Sequence, residues 1–372
     1  MDEFEDAAWE RERAQELMAS VEAVRRKESD TLDVNMTVFG WNLLRGLDGL
    51  KHLKLSVSDT MGKVDDLMAL DGLETAELGV GGECPFPNLE FLRKLTRLRV
   101  LKLPAFRGSL QPLAALQALE ELELGSGFEV TSLQPLGVLR RLKKLSFDLY
   151  PLSTLAGLEA HDQLEELNAT GYELVDIGAL EGLASLRKLS LFSDHPIPLA
   201  VLTSLAALRE VDLSSAKGLS DLSQLAGSSI EDLKIARCAS LQSLSGLASC
   251  SELRTITLET CRSLTDIADL RACHKLTSVD LRATGIDSVE ALGNLTDLQD
   301  LSIVSTSVTD LAPLAGATNL TTLTLNNTRV TSLAPLLELP KLESLDVRGC
   351  KALKRESLRD FAKARPGVLT HP

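Results

Sequence analysis

From Leu298 the chain reads Leu298-Gln-Asp-Leu301-Ser-Ile303-Val-Ser-Thr306-Ser-Val308, and 22 residues later it reads Leu320-Thr-Thr-Leu323-Thr-Leu325-Asn-Asn-Thr328-Arg-Val330. The core of this pattern, L-x-x-L-x-L, opens at Leu50, Leu73, Leu98, Leu119, Leu142, Leu164, Leu186, Leu208, Ile230, Leu253, Leu276, Leu298, Leu320 and Leu342, in steps of 21 to 25 residues. A unit this short cannot bury its own apolar face, so it must stack on its neighbours. Leu298, Leu301 and Ile303 therefore point into one coil and rest on the same positions of the coils before and after. One strand per coil gives a parallel sheet with strands about 4.8 Å apart. A period near 22 leaves no room for a full helix on the return leg, which predicts turns and short 3₁₀ pieces there. The expected fold is thus α/β: a solenoid of about 14 coils with a curved parallel sheet on its concave face, 3₁₀ segments on its convex face and helical caps.

The two ends depart from the repeat. Residues 3–27 predict a helix, since Phe4, Ala8, Ala14, Leu17, Met18, Val21 and Val24 recur near 3.6 spacing. It reads either as a cap over the first coil or as a dimerisation helix, and burial of Trp9 discriminates between them. Leu32, Val34, Met36 and Val38 alternate as the strand of a degenerate coil before the first opening. Gly79-Val-Gly-Gly-Glu-Cys84-Pro-Phe-Pro87 is a loop. Beyond Val347, Leu358, Phe361 and Ala362 form a helical face that Pro366-Gly367 ends. The domain reading is a cap over 1–31, a solenoid over 32–349 and a cap over 350–372, with both ends closed as in a complete protein.

Aromatics make up 3% of the chain against 44% hydrophobic residues, so the core is aliphatic. No apolar run reaches the length of a membrane span. The acidic start, Met1-Asp-Glu-Phe-Glu-Asp, lacks the basic and then apolar order of a secretory signal, and the chain reads as cytoplasmic. A net charge of −14 argues against a nucleic-acid surface and favours a protein partner of basic character. Cys238, Cys261 and Cys350 take the ninth repeat position, which Thr284, Thr306 and Thr328 fill elsewhere, where a small donor can reach loop carbonyls. Cys250 and Cys273 replace core leucines, and Cys84 stands in the early loop. The spacing from Cys238 to Cys273 is the coil period rather than a zinc pattern, so no metal, no cofactor and free thiols are expected. The histidines are scattered, with His161 at a core position and His195 at a coil corner. No nucleophile elbow occurs, and Gly79-Val-Gly-Gly lacks the lysine of a phosphate loop. No catalytic residue is assigned, and the protein does not read as an enzyme.

Repeat positions 2, 3, 5, 7 and 8 should face the concave side. Position 2 alternates in sign through Lys51, Glu74, Arg99, Glu120, Lys143, Glu165 and Arg187, and position 3 through Glu121, Lys144, Glu166, Lys188 and Glu210. Neighbouring strands should pair these charges into a self-neutralised ladder. Later coils carry Thr255, Ser278, Asp300, Thr322 and Ser344 at position 3, a polar surface without anchors. Five aromatics, Phe106, Phe128, Tyr150, Tyr172 and Phe192, fall just after the strand in five consecutive coils. Rimmed by Arg107, Asp148, Asp194 and His195, they read either as a protein-binding edge or as plugs of the inward slot, Tyr150 and Phe192 being the strongest candidates for exposure.

With these repeats, and with T-x-V-T-D/S-L-A-P-L in two successive coils (Thr306–Leu314 and Thr328–Leu336), the chain resembles the bacterial leucine-rich repeat proteins of internalin-like and SDS22-like type over roughly residues 32–365. The resemblance implies a binding scaffold without activity of its own. A scaffold that regulates or sequesters a protein partner is the leading expectation, with a monomer as its state. A translocated effector or surface recognition protein that binds host molecules is the alternative, as is a self-assembling structural subunit.

Overall fold

The computed structural model describes residues 3–61, 64–80, 86, 88–128 and 130–371. The chain forms two compact units, Met1–Leu186 and Arg187–Pro372. In the first, helix α1 (Glu3–Arg25) precedes strands β1 (Thr31–Gly40), β2 (His52–Met61), β3 (Thr75–Val80), β4 (Val100–Arg107), β5 (Glu121–Phe128), β6 (Lys144–Tyr150) and β7 (Glu166–Thr170). Each strand pairs in parallel with the next in chain order. Return legs are 3₁₀ segments such as Gln111–Ala115 and Gln134–Val138, as the short period requires. The repeat leucines are the core: Leu98, Leu101 and Leu103 are fully buried, with Leu119, Leu122 and Leu124 stacked beside them in the next coil.

At the start, α1 turns Leu17, Val21 and Val24 inward and leaves Trp9 and Met18 exposed. Glu10 accepts hydrogen bonds from the backbone N–H and hydroxyl of Thr37, satisfying an amide of β1 that no strand takes up. Beneath, Phe39, Trp41, Phe86 and Phe91 form a chain of ring contacts 5.3 to 6.2 Å between centroids. Cys84 and most of its loop lie outside the described residues.

The second unit contains β8 (Lys188–Phe192), β9 (Glu210–Asp212), β10 (Asp232–Lys234), β11 (Thr255–Thr257), β12 (Ser278–Asp280), β13 (Asp300–Ser302), β14 (Thr322–Thr324), β15 (Ser344–Asp346), helix α2 (Arg355–Ala364) and β16 (Leu369–His371). These strands too are parallel and paired in chain order. They are short for a local reason. Ser215, Arg237, Thr260, Ala283, Ser305, Asn327 and Gly349, all at the eighth repeat position, have φ between 55° and 73°. This left-handed residue breaks the strand alternation and swings the ninth residue inward. Thr284 and Thr306 then donate to the carbonyls of Leu281 (2.6 Å) and Ile303 (2.7 Å). The Cys238, Cys261 and Cys350 thiols reach the carbonyls of Leu213, Ile235 and Leu325 at 3.4, 3.5 and 3.0 Å. These cysteines, with Cys250 and Cys273, are buried free thiols, and burial pushes Cys273 up to about 11.

At the end, Phe361 is buried, while Leu358 is half-buried and Ala362 exposed, a narrower apolar face than the sequence predicts. The Arg365 guanidinium donates to the carbonyls of Leu337 (3.1 Å), Leu339 (2.6 Å) and Leu342 (2.8 Å), backbone oxygens of the last coil. The chain then turns at Gly367 and adds β16 beside β15, a strand the sequence reading does not contain. No helix among the described residues is long and apolar enough to cross a membrane.

Candidate functional site

The strand face carries the expected charge ladder. In the first unit Lys51 pairs with Glu74 (3.7 Å), Lys54 with Glu77 (3.4 Å), Lys102 with Glu121 (3.6 Å) and Lys144 with Glu166 (3.1 Å). Glu120 bridges Arg99 (2.8 Å) and Lys143 (3.1 Å), and their hydrogen bonds hold its carboxyl down to about 2. In the second unit Lys188 pairs with Glu210 (2.8 Å), Lys234 with Asp212 (2.9 Å) and Arg209 with Glu231 (3.1 Å). Pairs this exposed contribute about 0–1 kcal/mol each. Further along, Arg348 and Asn326 overcome the burial of Asp346 and hold it down to about 2. These charges are occupied with one another.

The aromatic residues divide according to strand phase. In β6, Leu145, Phe147 and Leu149 point inward while Lys144, Ser146, Asp148 and Tyr150 point outward. Strand β5 carries one residue more than β6: Leu124 pairs with Phe147, and the next pairing is Ser126 with Asp148, which leaves Gly125 over. Gly125 lies against Pro104 of β4, so closely that a Cβ there would sit 1.9 Å from the Pro104 oxygen. Past this bulge Phe106 is in register with Gly127 and Gly127 with Leu149, and Phe106 and Leu149 point inward while Arg107 and Tyr150 point outward. Phe106 is therefore fully buried, a core plug and not part of a binding edge. Counted from the opening leucine, Phe106 and Tyr150 hold the same ninth position, and only the bulge separates them.

Tyr150 is 52% exposed and Tyr172 37% exposed, their rings edge to face with centroids 5.6 Å apart. Phe128 lies in register with Tyr150, and its side chain is outside the described residues. Asp148, one pleat along β6 from Tyr150, is half-buried. Its partner in register on β7 is Thr170, and no hydrogen bond or ion pair reaches its carboxylate among the described residues. Burial pushes this carboxyl above its ordinary range. The other candidates belong to the second unit. Phe192 ends β8 half-buried, Asp194 pairs with Lys217 at 2.8 Å, and His195 is exposed, its backbone N–H donating to the Ser193 hydroxyl at 2.9 Å. His161 is a core residue, as its position predicts.

Comparison with known proteins fits this geometry. The family described as leucine-rich repeats (2 copies) matches residues 318–363. No curated protein matches the sequence. Among solved structures, a leucine-rich repeat protein of Leptospira interrogans superposes with a TM-score of 0.72 at 17% identity, over 92% of this chain and 90% of its own. The internalin InlF of Listeria monocytogenes gives 0.61 at 21% identity over 73% of this chain and 84% of its own. The functional domain of InlJ from the same organism gives 0.57 at 19% identity over 86% and 73%. At these identities the likeness is one of fold, a fold that generally serves as a protein–protein interaction scaffold. By its repeats and by its fold the chain is a leucine-rich repeat solenoid.

Proposed function

We propose that this protein is a non-catalytic scaffold that binds one protein partner and regulates or sequesters it, with Tyr150 and Tyr172 as the anchor of the interface. The observation behind this reading is the exposed tyrosine pair. It is a rigid aromatic anchor on a face whose charges otherwise neutralise one another, and interfaces draw their energy from such anchors ringed by polar groups. In this reading residues 1–31 and 350–372 cap the repeats of 32–349. The partner is basic and the setting cytoplasmic, as a net charge of −14 and buried free thiols favour. The test is affinity capture from native lysate with wild type beside a Tyr150→Ala/Tyr172→Ala variant of unchanged melting temperature. A partner captured by the wild type and lost with the variant supports the assignment; one retained by both overturns it.

Self-assembly is the second reading, favoured by Trp9 and Met18, exposed on α1 at 44% and 49%. Sedimentation equilibrium of wild type and a Trp9→Ser/Met18→Ser variant decides it. A concentration-dependent dimer that the variant abolishes supports it, and a monomer throughout removes it.

A further inference from the structure

We infer that Asp148, Tyr150 and Tyr172 form a recognition site for a cationic side chain, an arginine or lysine presented by the protein partner. The inference rests on the interface reading above and adds to it what the tyrosines bind.

The starting point is that Asp148, unlike the paired carboxylates of the strands around it, meets no cation among the described residues. Glu77, Glu120, Glu121 and Glu166 each meet a lysine or arginine of an adjacent strand. Asp148 meets none: Ser126 and Thr170 are its neighbours in register, and no bond to its carboxylate is found among the described residues. Arg107 points outward two strands away and makes no bond to it. A carboxylate drawn partly out of water without a partner is a cost to the fold, and a cation brought by another molecule would remove that cost.

The tyrosines supply the rest of such a site. Residues i and i+2 of a strand share a face and are about 6.7 Å apart, so the Asp148 carboxylate stands beside the Tyr150 ring. Tyr172 closes the other side, edge to face at 5.6 Å. A guanidinium or ammonium within about 6 Å of a ring centroid is attracted by the ring's negative face. Stacked on Tyr150, a guanidinium would direct its N–H groups toward Asp148, and its planar, weakly hydrated shape suits stacking better than an ammonium does. Exposed rings beside an unneutralised acid form the negative half of such a contact, on a chain with net charge −14.

The test uses the full chain and exploits the fact that it has only two tyrosines. With ring-labelled tyrosine, nuclear magnetic resonance gives one reporter for each. N-acetyl-argininamide is titrated against wild type and against Asp148→Asn, with the neutral isostere N-acetyl-citrullinamide as control. The expected result is saturable shifts of both tyrosine signals with the arginine probe, weakened by salt, and much smaller shifts with citrulline. Asp148→Asn should weaken arginine binding about fivefold. Equal response to citrulline, no response to arginine, or unchanged arginine binding by Asp148→Asn overturns the inference. The two readings fail separately: if Tyr150→Ala/Tyr172→Ala loses the captured partner while Asp148→Asn keeps it, the interface stands and the cation site falls, and if the double variant keeps the partner, the interface itself falls.

Discussion

His161 offers a pH-dependent test of how the core treats a polar side chain in an apolar slot. It stands three residues before an opening leucine, where other coils place Leu116, Leu139 and Leu183, and like them it is fully buried. Both ring nitrogens face backbone oxygens at 3.1 Å, Nδ1 toward Leu158 and Nε2 toward Leu136. A neutral imidazole donates through only one nitrogen, so one of these contacts is not a hydrogen bond. The imidazolium could make both, but it would carry a charge into the core. Burial is the larger effect and sets the pKa below 6.5, against the upward pull of the two carbonyls, with Arg140 adding to the lowering. The ring is therefore neutral in the folded state at neutral pH.

The sign of the consequence follows from proton linkage. Between the lowered folded pKa and 6.5 the unfolded chain binds the proton and the folded one does not. Stability then falls with decreasing pH across that window, by at most about 1.4 kcal/mol per pH unit, and levels off below the folded pKa. The His161→Leu variant lacks this dependence. It leaves no carbonyl stranded, because Leu136 O also accepts from the Leu139 N–H (2.8 Å) and Leu158 O from the backbone N–H of residue 161 (3.1 Å). At pH 7.5 the variant should be within about 1 kcal/mol of wild type. Urea unfolding of both proteins from pH 7.5 to 5 measures the difference. The leucine variant should gain relative stability as pH falls below 6.5. A flat difference, or a wild type that gains relative stability on acidification, would refute the reasoning and mean that the two carbonyls outweigh burial.

Two further substitutions test the coil corners and the final coil. Gly246 has φ of +100°, and a Cβ there would lie 2.5 Å from the Leu222 oxygen, so Gly246→Ala should lower stability by about 2–4 kcal/mol in urea unfolding; a loss under about 0.5 kcal/mol would mean the corner relaxes freely. Arg365→Ala removes the three hydrogen bonds to the last coil and should cost about 2–4 kcal/mol there, seen as faster amide exchange in β15 and β16; exchange at the wild-type rate would show that the guanidinium is not what holds this end.

The repeat made most of the fold legible, because each leucine of the pattern has one role and fills it in coil after coil. Leu98, Leu101 and Leu103 are buried for the same reason as Leu320, Leu323 and Leu325. The charge ladder was legible on the same ground, since a parallel sheet in register places equal repeat positions side by side, as Lys144 beside Glu166. What counting by position could not resolve was a change of strand phase. Pro104 and Gly125 insert the bulge that sends Phe106 inward, and neither residue disturbs the spacing of the leucines. Strand β16 escaped notice because Leu369-Thr-His has neither the length nor the leucines of the pattern.

Strand phase is also what decides where this protein can offer an anchor. In the second unit seven coils bend through a left-handed residue at the eighth position, and the residue that follows, whether alanine, threonine or cysteine, is taken up by the core. Coils of that kind leave an outer face of hydroxyls and charges, with no aromatic ring to insert into a partner. In β6 the backbone stays extended through Tyr150, the alternation persists, and the ninth residue remains outside. The change costs the coil its inward donor, and Leu149 at the eighth position fills the core in its place. A polar or small residue at 150 would leave the core unaltered. A tyrosine there, paired with Tyr172 and beside the unneutralised Asp148, adds apolar surface that packing does not require, and recognition of a partner is the role that such surface fits.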